Sequence, residues 1–103
     1  MALTREEIQA RDNREALSTG KLRTIGETAG VLSLLVEDAQ ANAMGRGMGG
    51  AYEERWFLKC LTADLPVKPI PDQVLRIDGE IFLVESVRDI EGLLDIRMVV
   101  RRT

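Results

Sequence analysis

The sequence predicts a mainly β protein, a small antiparallel β-barrel or sandwich with an N-terminal α-helix and a long mobile Gly/Met-rich loop. Asp78-Gly79 separates two apolar runs, which indicates a hairpin, because a type I′ turn needs positive φ at both central residues. The last run, residues 93–102, alternates apolar and polar side chains as a half-buried antiparallel strand does. All three prolines lie within residues 62–72, a stretch that therefore connects strands instead of forming one.

The composition indicates a single domain, residues 1–103, without a strongly charged region. Lys and Arg number 14 and Asp and Glu number 17, so the net charge is −3, and no basic block is present. Tight binding to DNA phosphates needs clustered basic residues, so this class of protein is disfavoured. Residues 1–19 are too charged for a signal peptide, and no apolar run approaches the ~18 residues that span a bilayer. We expect a protein made in the cytoplasm, with no membrane partner.

Groups able to do catalysis are sparse. The chain contains no His, which removes the usual general base near neutral pH and the commonest metal ligand. Its one cysteine, Cys60, cannot form an internal disulfide and has no His to activate it as a nucleophile. Pairs of carboxylates such as Glu53 and Glu54 are expected at solvated strand ends and turns. We expect no enzyme activity, no metal site and no cofactor.

The N-terminal segment carries the signature of a helix start. Thr4 can cap the amide of Glu7, and Leu3 can pack on Ile8, which predicts a helix over residues 4–19 with Gly20 just beyond its end. The apolar face is thin, because Ile8 and Leu17 are its only large apolar residues. Such a helix either packs weakly on the domain or becomes buried only when a partner binds. Candidate subunit contacts are Leu3, Ile8 and Leu17.

We expect the barrel to occupy residues 22–102. Residues 21–30 are predicted to be a short strand or an irregular lead-in, broken by two glycines. Residues 31–36 are a nearly continuous apolar run, which favours a strand with both faces covered. In residues 52–61, Trp56, Leu58 and Cys60 share one face and are expected in the core.

The last third of the sequence predicts a three-stranded meander. Its strand runs are residues 73–77, 80–87 and 93–102, with turns at Asp78-Gly79 and at residues 89–92. In the last strand one face is expected to point into the core, namely Leu94, Ile96, Met98 and Val100. The opposite face consists of Asp95, Arg97, Val99 and Arg101.

Residues 37–51 predict a flexible loop, because they contain no β-branched residue and have four glycines within residues 43–50. The G-x-G-x-x-G match at residues 45–50 has a polar stretch before it and a strand after it, so it lacks the strand–helix context of a nucleotide site. Two interpretations stay open. The loop is a disordered insertion, or it is a conformable contact element, since Met adapts to irregular surfaces. Its candidate interaction residues are Met44, Gly45, Arg46, Gly47, Met48, Gly49 and Gly50.

The layout resembles the small head–tail joining proteins of tailed bacteriophages, also called head completion or stopper proteins. The residues that carry the resemblance are Gly30-Val31-Leu32 before the long loop, the strand at residues 56–61 and the Pro-containing lead-in at residues 66–72. Residues 77–87 are similar to the family's G-x-x-Y-x-V-x-x-V strand, with Phe82 in place of the usual Tyr. The resemblance covers residues 20–102.

The resemblance implies a β-barrel that forms a homo-oligomeric ring in the neck of the virion. Such a ring would seal the DNA-filled head and join it to the tail. Its partners would be the portal or head–tail adaptor ring on one side and the tail-terminator or tail-tube protein on the other. DNA would pass through without specific binding, which suits a net acidic chain.

A second hypothesis is a non-catalytic β-barrel binding module for a peptide or small ligand. In that case the Gly/Met loop would act as a lid over a pocket.

Overall fold

The computed structural model describes residues 3–40, 42 and 52–102. Within them, a closed antiparallel barrel has the strand order β1-β2-β3-β6-β5-β4. The helix is α1 (Arg5–Ala16), and the strands are β1 (Lys21–Ile25), β2 (Thr28–Glu37), β3 (Tyr52–Leu61), β4 (Val74–Ile77), β5 (Glu80–Ile90) and β6 (Leu93–Arg102). A short 3₁₀ turn, Thr62–Asp64, begins the connector between β3 and β4. The predicted fold class, a mainly β barrel with an N-terminal helix, is confirmed.

Tight turns build the meander. At Asp78-Gly79 the φ angles are 49° and 87°, and Ile77 pairs with Glu80 across the turn, as predicted. The turn between β5 and β6 is Glu91-Gly92, with φ angles of 51° and 90°. It comes later than the sequence suggested, because β5 continues through Ile90.

Residues 21–30 form a hairpin, and the expected irregular lead-in is not observed. Gly26, with a φ of 60°, turns the chain between β1 and β2, and Ile25 pairs with Thr28. The amide of Gly26 also donates to the Arg76 carbonyl at 2.7 Å. This bond, together with the pairing of Ile25 with Ile77, joins β1 to β4 and closes the barrel.

Every second side chain of each strand points into the barrel, and together these side chains form the core. The predicted inward face of β6 is confirmed, since Leu94, Ile96 and Met98 are buried and Val100 packs against them. The rest of the core consists of Ile25, Val31, Leu58, Cys60, Leu65, Leu75, Ile77, Phe82 and Val84. Trp56 packs at the edge of this cluster with its ring edge-to-face on Phe82, the centroids 6.3 Å apart.

Helix α1 begins as the sequence predicts and ends earlier. Thr4 Oγ1 accepts a hydrogen bond from the Glu7 amide at 3.1 Å. The helix ends at Ala16, and Gly20 does not adopt the left-handed conformation expected of a helix-terminating glycine. A Cβ at Gly20 would lie 2.6 Å from the Ser33 carbonyl oxygen, so glycine is required there by close packing of the backbone.

Candidate interaction surfaces

The base of the long loop is tied to the barrel by Asn42. This side chain is fully buried, and its Oδ1 accepts from the Arg55 amide at 2.6 Å. Its Nδ2 donates to the Arg55 carbonyl at 3.1 Å and to Glu37 Oε1 at 3.0 Å. The prediction of a flexible loop over residues 37–51 is therefore wrong at its start, because Glu37 belongs to β2 and residues 38–40 and 42 form an anchored turn. The candidate interaction residues, Met44 to Gly50, lie outside the described residues.

A buried carboxylate lies on β3, near this anchor. Glu54 is only 6% exposed, and its Oε1 accepts from the indole Nε1 of Trp56 at 2.8 Å. The expectation that Glu54 lies at a solvated strand end is therefore wrong. Alternation along β3 places Glu54 on the inward face with Trp56, a placement that the Glu53-Glu54 dipeptide alone did not reveal.

An apolar groove lies on the outer wall of the barrel, over β2, β3 and β6. We call it the β2 face, and it consists of Leu34, Val36, Phe57, Lys59, Asp95 and Arg97, around a volume of about 300 Å³. Val36 is 51% exposed, and the Arg97 guanidinium lies over the Phe57 ring at 5.5 Å from its centroid. One oxygen of Asp95, Oδ1, is buried and accepts no hydrogen bond from the described residues.

A second apolar surface lies over β4, β5 and β6. We call it the β5 face, and its outward side chains are Val74, Ile81 and Leu83, around a volume of about 380 Å³. These three are 61%, 54% and 40% exposed, respectively. Val99 of β6 borders the same surface but is buried.

Arg55 and Glu85 form an ion pair on the outer wall of the barrel. Arg55 Nη1 lies 2.8 and 3.0 Å from the two carboxylate oxygens of Glu85. Because Val99 pairs with Arg55 on β3 and with Leu83 on β5, the ion pair crosses β6 at the level of Val99. This crossing explains why Val99 is 5% exposed although it points away from the core.

The predicted subunit-contact residues of the N-terminal segment divide into two groups. Leu3 and Ile8 are 46% and 40% exposed, so both offer apolar surface to a partner. Leu17 is fully buried within the chain, so the expectation of a subunit contact at Leu17 is corrected. Leu17 is the residue that follows the last helical residue, Ala16, so it is not part of the exposed surface of α1.

Asn13 joins helix α1 to the barrel through a polar contact. Asn13 is buried, accepts from Gln9 Nε2 at 3.0 Å and donates to the Glu91 carbonyl at 3.0 Å. The contact therefore attaches α1 to the β5–β6 turn. A helix that is otherwise exposed fits the thin apolar face seen in the sequence.

Two titratable groups, Cys60 and Asp89, have shifted pKa values, and both shifts have structural causes. Burial raises the pKa of the Cys60 thiol to about 11, with a smaller contribution from Asp64, so the thiol stays protonated. The amide of Gly92 donates to Asp89 Oδ1 at 3.0 Å and lowers the pKa of that carboxyl, with Lys68 3.6 Å away as a weaker cause. Neither environment activates a nucleophile or a base.

Within the described residues, 3–40, 42 and 52–102, no group of three or more His, Cys, Asp or Glu side chains converges as metal ligands do. No described helix has the length and apolar character needed to cross a membrane.

Sequence reasoning missed the two outer faces, although a signal for one was present. The apolar run at residues 31–36 indicated a strand covered on both sides. Among the described residues, the inward side of β2 lies in the core, whereas on the outward side Leu34 is partly buried and Val36 is 51% exposed. An exposed apolar side chain on such a run is surface that another protein can cover.

No protein-family model, curated protein or solved structure matches this chain.

Proposed function

We propose that this protein is a structural, non-catalytic component of the neck of a tailed phage particle. It forms a ring that joins the DNA-filled head to the tail and seals the portal channel. The portal or adaptor ring binds one side, and the tail-terminator or tail-tube protein binds the other. The protein is made in the host cytoplasm and ends in the virion.

The observation that supports this proposal most is the apolar groove on the outer wall of the barrel. Leu34 and Phe57 line it partly buried and Val36 is 51% exposed, so the groove offers apolar surface to other proteins. The net charge of −3 adds a second argument, because an acidic ring repels the phosphates of DNA that passes through it. The resemblance of residues 20–102 to head–tail joining proteins supplies the biological context.

The test is a deletion of the gene in a phage or prophage that encodes it. We expect heads and complete tails to lie separately in electron micrographs of the lysate, and purified protein to restore infectious particles. Heads that have lost their DNA would assign the sealing role. Normal infectious particles from the deletion strain would refute the proposal.

The alternative is a binding module for a peptide or small ligand with the Gly/Met loop as lid. One observation favours it: the groove of the β2 face includes Val36, and the anchored turn of residues 38–40 and 42 begins two residues later. The deletion strain is complemented with a Val36→Ser variant. If this variant restores the joining of heads to tails, joining does not depend on the groove. Failure of that variant to restore joining, with its fold intact, would place the groove in the joining contact.

A further inference from the structure

The exposed side of helix α1 is a surface with both apolar and acidic side chains. The helix residues that line the groove between α1 and the barrel are residues 5, 6, 9, 10, 13 and 14. Because an α-helix repeats every 3.6 residues, the larger side chains that remain point away from the barrel. We call this surface the α1 face, and it consists of Leu3, Glu7, Ile8, Arg11, Asp12 and Glu15.

The apolar part of the α1 face is formed by Leu3 and Ile8. Leu3 directly precedes the N-cap, Thr4, and Ile8 is the fourth residue of the helix. Side chains at these two positions lie next to each other at a helix start. They are 46% and 40% exposed, so they offer apolar surface at one end of a helix that is otherwise polar.

The α1 face has a net negative charge. Glu7, Asp12 and Glu15 are three carboxylates against one guanidinium, that of Arg11, which leaves two negative charges. Arg11 Nε lies 4.0 Å from Asp12 Oδ1, so these two charges offset each other. Glu7 and Glu15 are exposed, and within the described residues neither forms an ion pair. These two carboxylates are therefore available to a partner.

The β2 face and its border have a net positive charge. Asp95 pairs across the sheet with Lys59 on β3 and with Arg88 on β5, and Arg97 lies on the same outer wall. Three cations against one carboxylate leave two positive charges. In the described part of the chain neither Lys59 nor Arg88 forms an ion pair, and both are exposed. Opposite net charges favour contact between the α1 face and the β2 face and disfavour contact of either surface with itself.

The free charges of the two surfaces also have similar spacing. Glu7 and Glu15 are eight residues apart, which is about 12 Å along a helix. Lys59 and Arg88 lie on strands with only β6 between them, which is about 10 Å. A helix lying across the strands therefore brings one carboxylate to each cation. Ile8 then lies at the Glu7 end, towards the apolar side chains of β2.

We propose that the α1 face of one copy binds the β2 face of the next copy. Leu3 and Ile8 pack on Leu34 and Val36, in the manner of a helix that lays its apolar side into a groove. This inference rests on the proposed ring assembly and names the surfaces that build it. The two surfaces share no residue, so the contact is heterologous, and its repetition by a closing rotation produces a ring.

The test is the association of purified full-length chains with reversed charges, measured by sedimentation equilibrium over increasing concentration. Glu7→Lys with Glu15→Lys reverses the free charges of the α1 face. Lys59→Glu with Arg88→Glu reverses those of the β2 face. We expect the parent to form species larger than dimers. Each variant alone should associate at least about tenfold more weakly, because like charges then meet.

An equimolar mixture of the two variants gives the strictest result. The reversed α1 face of one variant then meets the reversed β2 face of the other, and the remaining two faces keep their natural charges. We expect the mixture to associate about as strongly as the parent. A variant that had lost its helix or its barrel would not regain association in this way, so the mixture also controls for folding.

Two matched controls separate the contact from general effects of charge and hydrophobicity. Glu27→Lys with Asp64→Lys makes the same change in net charge at exposed residues outside both faces, and it should associate as the parent does. Ile8→Ser should weaken association, whereas Leu22→Ser should not, although Leu22 is 70% exposed.

Four results would each overturn the proposal. They are a parent that stays monomeric up to its highest soluble concentration, a charge control as weak as the face variants, an α1 variant as associated as the parent, and a mixture no stronger than its components. Because this test uses purified protein, it is independent of the gene deletion. Association with normal particles would refute the neck function and keep the contact, and the opposite pair of results would do the reverse.

Discussion

The side chain of Asn42 pairs with the backbone of Arg55 as a neighbouring β-strand would. Its Oδ1 accepts from the Arg55 amide and its Nδ2 donates to the Arg55 carbonyl, at 2.6 and 3.1 Å. The Asp38 amide donates to the same carbonyl at 2.9 Å. The β2–β3 ladder therefore continues one step beyond β2 through a side chain, and the long loop leaves the barrel from a fixed point.

We expect Asn42→Ala to destabilise the protein by about 1–3 kcal/mol, because it removes the fully buried Asn42 side chain and leaves the partly buried Arg55 amide without its acceptor. Urea unfolding followed by the fluorescence of Trp56 measures the change. Gln40→Ala is the matched control, since Gln40 lies in the same turn and is exposed. A loss no larger than that of the control would show that the Asn42 bonds do not hold the loop base.

Leu94→Ala should cost about 2–4 kcal/mol in unfolding free energy, because Leu94 is fully buried and its removal leaves a cavity. The same measurement applies to Met98→Ala, for which we expect a similar loss. Leu22→Ala is the control, as Leu22 is 70% exposed, and its effect should stay within about 0.5 kcal/mol. Equal effects of Leu94→Ala and Leu22→Ala would contradict the assigned inward face of β6.

The Cys60 thiol should make stability fall in alkaline solution. Its pKa is about 11 in the folded chain against an ordinary 9.0, so below pH 9 the thiol is neutral in both states. Between pH 9 and 11 the unfolded chain loses the proton and the folded chain keeps it, which favours unfolding. We expect a steeper decline of unfolding free energy with pH for the parent chain than for Cys60→Ala, and parallel curves would refute this.

Deletion of Met44 to Gly50 should leave the isolated protein folded and impair the completion of particles. The reason is that Asn42 anchors the chain before the loop and β3 begins after it. A cooperative thermal transition tests the fold, and complementation of the gene deletion tests the function. A full-length variant with Met44→Ser and Met48→Ser keeps the loop length, and full complementation by it would exclude the methionines as contacts.

Local chemistry in the sequence predicted much of the fold. Asp78-Gly79 specified its turn because few dipeptides accept positive φ at two successive residues, and the alternation in β6 specified which side chains point inward. Thr4 and Glu7 specified the start of α1 for a similarly local reason. The hairpin at Gly26 was missed because a single glycine is a weaker turn signal than Asp-Gly.

The sequence by itself determined the strands of the last third, the turn at Asp78-Gly79 and the inward residues of β6, because each depends on neighbours close in the chain. Only the tertiary structure decided the closure of β1 onto β4, the burial of Leu17 and Glu54, and the pairing of Asn42 with Arg55. It also decided that Val36 of β2 and Ile81 of β5 stay exposed on the outer wall of the barrel. These features depend on strand order and register, which bring together residues far apart in the chain. A local sequence pattern does not predict which distant residues will be in contact.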